Sequence, residues 1–254
     1  MGLTNLLRRI ATGSSEPTLL PNTDSKPVNI TKKLSSINVL HNDQVVVIER
    51  NQDTHARIND LFAKTSRPCP PFCIQPMTIA EGVETIGELE MLSFLEQAIT
   101  NDSIMIIDSR IKEWVDIGTI PSAKHIPWTS LTISNGVTLN DVLTVMTKYL
   151  DVNIIEGKHA GDISDAYSNG KLTDVLDFSK AKTLVLFCNG SWCNQTPVSV
   201  LSLLELSYPK EKLKYFRDGM QGWLSLGLTT VSNEKNSCDI VEPVCKNNPY
   251  KVVS

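Results

Sequence analysis

The sequence predicts an α/β fold, and three observations carry that expectation. The first is TLVLFCNGSWCNQTPVSVLSLLEL, residues 183–206. An apolar run of strand length, Leu184 to Phe187, ends at Cys188; a polar loop follows, then an apolar-rich helix. Thr196 suits the helix N-cap and Pro197 the first helical position. The second is QVVVIE at residues 44–49, a β-branched run that reads as a strand. The third is a pair of amphipathic helices. Residues 81–99 carry Ile86, Leu89, Leu92 and Leu95 at three-residue spacing, with Met91 and Phe94 beside them. Residues 138–150 read the same way, with a start near Asn140.

Taken in order, residues 1–12 place Leu3, Leu6, Leu7 and Ile10 at helical spacing beside Arg8 and Arg9. Two readings stand for them: a docked or frayed terminal helix, and an amphipathic anchor or targeting segment. Residues 11–35 are rich in Ser, Thr, Pro, Asn and Lys, which reads as a flexible arm. A short helix is expected over 53–63, with Ile58, Leu61 and Phe62 on one side. Residues 66–76, SRPCPPFCIQP, hold four prolines, which exclude a regular helix and predict a stiff extended loop. Residues 152–176 read as a long insert with three glycines, a covering or assembly loop in which His159 is a possible acid–base group. The last 23 residues show no periodicity.

Cys188 is the chemical centre of this sequence. It lies where a strand ends and faces the start of a helix. Free backbone N–H groups and the helix dipole favour an anion there, and a thiolate is one. Its pKa falls in such a setting. The bland alternative is a small buried hydrophobe.

The surrounding residues carry a resemblance. IMIIDSRIKEWVDIGTIPSAKHIPW (104–128) has Asp108, Arg110, Gly118, Ile120, Pro121, Ala123, Ile126 and Pro127 at the positions of the D-x-R…G-x-I-P-G-A-x-x-I-P signature, with Ser122 for the glycine. KLKYFRDGMQGWLSLGL (212–228) is similar to a closing strand and G-G-x-x-x-W segment, with Asp218 for the first glycine. Together with the cysteine loop these motifs resemble the rhodanese-like sulfurtransferases over roughly residues 82–231. The resemblance implies a central, mostly parallel five-stranded sheet flanked by helices. With the composition of the remaining segments, the chain divides into an arm (1–35), an extension with the Pro/Cys-rich loop (36–80), a rhodanese-like domain (81–231) and a tail (232–254). The resemblance also implies that Cys188 carries sulfur as a persulfide, cradled by loop amides.

The loop departs from the family's C-x-x-G-x-R pattern. Residues 188–195 read CNGSWCNQ, and no Lys or Arg stands between Cys188 and Pro197. Cys193 occupies about the place of the arginine. A loop without a cation binds a dianion such as thiosulfate less well, because charge-assisted hydrogen bonds are the strong ones. The loop is also longer, which suits a bulkier donor. Cys193 is either a resolving thiol that attacks a Cys188 persulfide or an inert packed residue. The expected catalytic pair is Cys188 and Cys193. Asn189, Gly190, Ser191, Trp192, Asn194 and Gln195 are expected to line the substrate site, Trp192 as a wall or as an anchor. Arg110 is expected at the pocket rim or, alternatively, paired with Asp108 or Glu113. Arg217 is a candidate for the missing positive charge.

Six cysteines form three local pairs: 69 and 73, 188 and 193, 238 and 245. Cys69 and Cys73 read as a second redox pair, a structural disulfide or buried thiols. No two Cys-x-x-Cys knuckles occur and only four histidines are present, so no metal and no cofactor are expected. The hydrophobic share is 41% and the charged share 20%, ordinary for a globular protein. A net charge of −4 with no basic run argues against nucleic acid. The expected partners are a small-molecule or protein sulfur donor and a thiol acceptor. Membrane association is expected only through residues 1–12, and the expected compartment is the cytoplasm, with peripheral-membrane or organellar targeting as alternatives. Three functions compete: sulfurtransferase, thiol–disulfide or polysulfide reductase using Cys188 and Cys193, and a non-catalytic binding or scaffolding module.

Overall fold

The computed structural model describes residues 26–133 and 136–232. The readings of residues 1–12, of Cys238 and Cys245 and of the tail from 233 onward lie outside that range. Along the chain come β1 (Ser36–His41), β2 (Gln44–Glu49), α1 (Asp60–Ala63), β3 (Glu84–Ile86), α2 (Glu88–Gln97), β4 (Ile104–Asp108), α3 (Lys112–Ile117) and β5 (Lys124–His125). Then follow α4 (Leu139–Tyr149), β6 (Asn153–Ile154), α5 (Ala160–Ser168), β7 (Leu176–Asp177), β8 (Thr183–Phe187), α6 (Gln195–Glu205), β9 (Leu213–Phe216) and α7 (Gly219–Ser225).

The expected α/β class is borne out. Five strands form one sheet in the order β3-β9-β8-β4-β5, with every neighbouring pair parallel. A parallel sheet must be covered on both faces, so its strands read as continuous apolar runs. β8 shows the division. Leu184 and Leu186 join a core with α4, α5 and α6 residues such as Val142, Met146, Ile163 and Leu203. Val185 and Phe187 join a second core with Met91 and Leu95 of α2, Trp114 of α3 and Trp223 of α7. The period-two alternation of a strand sends successive side chains into opposite cores.

β1 and β2 form a separate antiparallel hairpin, with His41 opposite Gln44. Asn42 and Asp43 turn it at φ 49° and 61°, a conformation these short polar side chains tolerate. Ile37, Val39 and Ile48 join the second core. Ser122, at a position where the signature has glycine, takes a φ of 73°.

Four expectations change. The helix foreseen over 53–63 shrinks to α1, because Asn51 and Asp53 side chains accept the amides two residues on and turn the chain away from helix. The helix foreseen over 81–99 gives up Glu84–Ile86 to β3, which pairs with β9, and starts at Glu88 after Gly87. α6 starts at Gln195, with Asn194 rather than Thr196 at the cap, so Thr196 and Pro197 lie inside its first turn. The insert 152–176 is structured: β6 and β7 pair, and Ile163, Ala166, Leu172 and Val175 are buried in the first core. Its apolar positions, split by glycines, obscure the periodicity of a nine-residue helix. Among the described residues no helix is long and apolar enough to cross a membrane.

Candidate active site

β8 delivers Cys188 to the end of the sheet, and the chain takes seven residues, 188–194, to enter α6. The Cys193 amide donates to the Gly190 carbonyl at 2.9 Å and closes a turn. The start of α7 holds the other side: the Met220 and Gln221 amides donate to the Cys188 and Asn189 carbonyls at 3.0 and 2.9 Å. This contact requires Gly219. Its φ is +51°, and an added Cβ would collide with the Cys188 carbonyl.

Both loop cysteines are reduced and buried, Cys188 at 1% and Cys193 at 5% exposure. The Cys188 Sγ lies 3.3 Å from the Cys193 carbonyl. Burial alone would push the Cys188 thiol up. Hydrogen bonds from the Cys193 thiol, from the Thr196 hydroxyl and amide, and from the Gly190 amide outweigh it and bring its pKa down to about 7. The Thr196 hydroxyl is buried and engaged by no other hydrogen bond, so it remains available to the Cys188 sulfur. Cys193 moves the other way: burial, and its role as donor to Cys188, hold its thiol well above the ordinary range. One cysteine is set up as the thiolate and its neighbour as the thiol that stabilises it.

Sequence comparison decides the family. The Rhodanese-like domain family matches residues 92–226, more than half of the chain. This chain belongs to the rhodanese-like domain family. The loop with Cys188 lies inside the matched range. The solution NMR structure of the rhodanese-like domain of an Anabaena sp. protein is similar at 16% identity, covering 69% of this chain and 93% of that one, with a TM-score of 0.32. No curated protein matches.

In this rhodanese-like site the foreseen residues divide by position. Gly190 contributes its amide to Cys188 and turns the loop. The Ser191 carbonyl accepts the Gln75 amide at 2.8 Å. Asn194 caps α6 without a side-chain hydrogen bond, and the Gln195 amide points to Cys193. Trp192 has the contacts of an anchor. Its Nε1 donates to Gln221 Oε1 at 2.7 Å, and its rings pack against Phe72 and Trp114 with centroids 5.6 and 6.3 Å away.

The two foreseen arginines are committed elsewhere. Arg110 is fully buried and not at a rim. Its Nε and Nη2 donate to Asp108, Nη2 at 2.6 Å; Nη2 also donates to the Gly118 carbonyl, and Nη1 to the Trp114 carbonyl and, at 3.4 Å, to Asn189 Oδ1. The paired alternative therefore replaces the rim, because a buried guanidinium must be matched by carboxylate and carbonyl oxygens. Burial would raise the Asp108 carboxyl, but Arg110 with His125 and Thr119 holds it below its usual range. Asn189 is buried beneath the loop as the link to this pair. Arg217 donates to the Gln75 carbonyl at 2.9 Å and lies 3.8 Å from Asp218.

Several neighbours escaped sequence reasoning. Residues 67–77, outside the matched family range, run across the loop as a strap. Of the three readings of Cys69 and Cys73 the disulfide is the one formed, while the contacts of the strap were not foreseen: Phe72 meets Trp192 edge-on, and Gln75 joins Ser191 and Arg217. The Arg67 guanidinium lies 3.7 Å over the Trp192 ring. Gln221 bridges Trp192 to the Phe62 carbonyl. The Tyr215 hydroxyl is buried without a partner, and burial and Cys188 hold its phenol above its usual range. The contacts of the strap with the loop join segments over a hundred residues apart, so no local pattern announces them. Among the described residues no group of three or more His, Cys, Asp or Glu is placed to hold a metal.

Proposed function

We propose that this protein is a sulfurtransferase that carries sulfane sulfur on Cys188. The observation that supports it best is the thiolate-favouring cradle, with the Cys188 pKa at about 7 against an ordinary 9.0. A thiolate is the nucleophilic form of cysteine. Cys188 attacks the sulfane sulfur of a donor, a Cys188–sulfur bond forms, and the bond to the donor's remainder breaks. The remainder leaves with the electron pair. The Gly190 and Thr196 donors already aimed at the Cys188 sulfur would then hold the terminal sulfur of the persulfide. A thiolate acceptor attacks that terminal sulfur and restores the Cys188 thiolate. The donor is a small molecule or a protein, and the acceptor is a thiol.

The hydrogen bond between the two loop thiols favours a second reading. The Cys193 sulfur attacks the Cys188 sulfur of the persulfide as its proton passes to the terminal sulfur, hydrosulfide leaves, and a Cys188–Cys193 disulfide remains. That is polysulfide reductase chemistry, and an external thiol must reset it.

The test is intact mass with peptide mapping after exposure to polysulfide, thiosulfate or glutathione persulfide, for wild type, Cys188→Ser and Cys193→Ser. Added sulfur on Cys188 that a thiol removes supports sulfur transfer. A Cys188–Cys193 disulfide with released sulfide selects the second reading. No modification by any donor overturns both and leaves a non-catalytic binding module.

A further inference from the structure

The Cys188 loop has no cation of its own, yet three arginines approach it, and they differ in what their nitrogens do. Arg110 is matched by Asp108 and by carbonyls beneath the loop. Arg217 is tied to the Gln75 carbonyl beside Asp218. Arg67 differs from both. It lies over Trp192, with its carbon centre 3.7 Å from the ring centroid, and 5.8 Å from the Phe72 ring. Its Nη2 donates to the Leu61 carbonyl, but its Nε is buried and has no hydrogen-bond partner. Among the described residues no ion pair engages it. A guanidinium has five N–H donors in a fixed fork and cannot give up its charge, so a buried unmatched N–H costs free energy until an acceptor arrives.

The surroundings hold Arg67 in that place. Pro68 follows it directly, and the Cys69–Cys73 disulfide closes the next turn of the strap. Its contact with the Trp192 ring holds it there, and Trp192 is itself fixed by Gln221. Trp192 adjoins Cys193, whose thiol feels the Arg67 charge. The strap therefore brings a preorganised, under-satisfied cation onto Trp192 of the Cys188 loop.

We propose that Arg67 is a specificity-determining residue that binds an anionic group of the sulfur donor, so that the site selects anionic over neutral sulfane compounds. This rests on the sulfurtransferase reading of Cys188. With thiosulfate the step balances. The Cys188 thiolate bonds to the sulfane sulfur, the sulfur–sulfur bond of thiosulfate breaks, and sulfite leaves with the electron pair and two negative charges. The persulfide keeps one. Arg67, only partly buried as a residue, would take the sulfonate oxygens with its guanidinium, favouring both the bound donor and the departing sulfite.

The test compares wild type with Arg67→Met, which keeps apolar contact with Trp192, and Arg67→Lys, which keeps the charge. Loading of Cys188 is timed by mass with thiosulfate, glutathione persulfide and the neutral dimethyl trisulfide. Alkylation of Cys188 is timed with anionic iodoacetate and neutral iodoacetamide. Arg67→Met is expected to slow thiosulfate about tenfold and dimethyl trisulfide less than twofold, as expected for one lost charge-assisted hydrogen bond. The iodoacetate-to-iodoacetamide rate ratio falls in parallel, and Arg67→Lys restores most of it. A fall with glutathione persulfide in place of thiosulfate supports the same site with a carboxylate as its anion. Unchanged ratios for every reagent pair overturn the proposal. Equal slowing of charged and neutral reagents also overturns it, since Arg67 is then only a clamp on Trp192. If no donor loads wild type while the alkylation ratio still depends on Arg67, the anion site stands and the sulfurtransferase reading fails.

Discussion

Cys188 and Cys193 stand five residues apart, and Cys69 and Cys73 stand four apart. The first pair is buried and reduced. The second lies on the strap over the same loop, Cys69 exposed and Cys73 half-buried, with its Cα atoms 4.6 Å apart and its sulfurs joined. Similar spacing thus accompanies opposite states. The inner pair lies between a strand end and a helix start, where amides and a hydroxyl favour charge on one sulfur, and that charge makes the other sulfur a donor. The outer pair has no such cradle; a proline-rich turn brings its backbones within ordinary bridging distance. What differs is the density of donors around the sulfur, so the reactive cysteine is recognised by its surroundings rather than by its partner's position.

The largest effect is expected beneath the inner pair. Asp108→Ala leaves the buried Arg110 guanidinium unmatched and should cost about 3–5 kcal/mol in urea unfolding. A smaller loss than the outer pair's would break the view that the inner loop rests on this scaffold. Next comes Gly219→Val, which forces a branched side chain into a left-handed conformation against the Cys188 carbonyl. It should cost about 2–3 kcal/mol and move the loop away from α7.

The contrast within the inner pair is sharpened by pH. Only the thiolate reacts, so iodoacetamide labelling of Cys188 should rise with pH through a midpoint of about 7. Cys193, held high by burial and by Cys188, should stay a thiol and label slowly at pH 8. Equal rates at the two sites by peptide mapping would break the division of roles. Thr196→Val removes one hydroxyl donor, so the Cys188 midpoint should rise, and labelling at pH 7 should fall by up to about tenfold.

The smallest effect belongs to the outer pair. Replacing Cys69 and Cys73 by serine opens a loop of five residues and should cost about 2 kcal/mol or less. The Cys188 midpoint should stay near 7. A shift would mean that the strap tunes the inner thiol, and the two pairs would then count as one coupled site.

Much of the fold was legible because parallel strands and amphipathic helices write their burial into local periodicity. The run at 183–187 read as a strand from its own residues, the family resemblance implied those at 104–108 and 213–216, and the three are neighbouring strands of one sheet. The failures were local competitions settled at long range. Glu84–Ile86 continue a helical pattern but found a free sheet edge at β9. Residues 153–177 hid a helix whose apolar face has meaning only against α4.

The candidate site divides in the same way. The sequence by itself determined that a cysteine follows a buried strand, that a helix begins a short loop later, and that this loop has no cation, because each is a property of contiguous residues. Only the tertiary structure decided which arginines are available: Arg110 is taken by Asp108, Arg217 by the strap, and Arg67 reaches Trp192 from 125 positions away. It also decided that α7 approaches through Gly219 and that the Cys188 sulfur lies against the Cys193 carbonyl. The physical reason is that burial and hydrogen-bond donation depend on everything within a few ångströms, and most of what lies there comes from elsewhere in the chain.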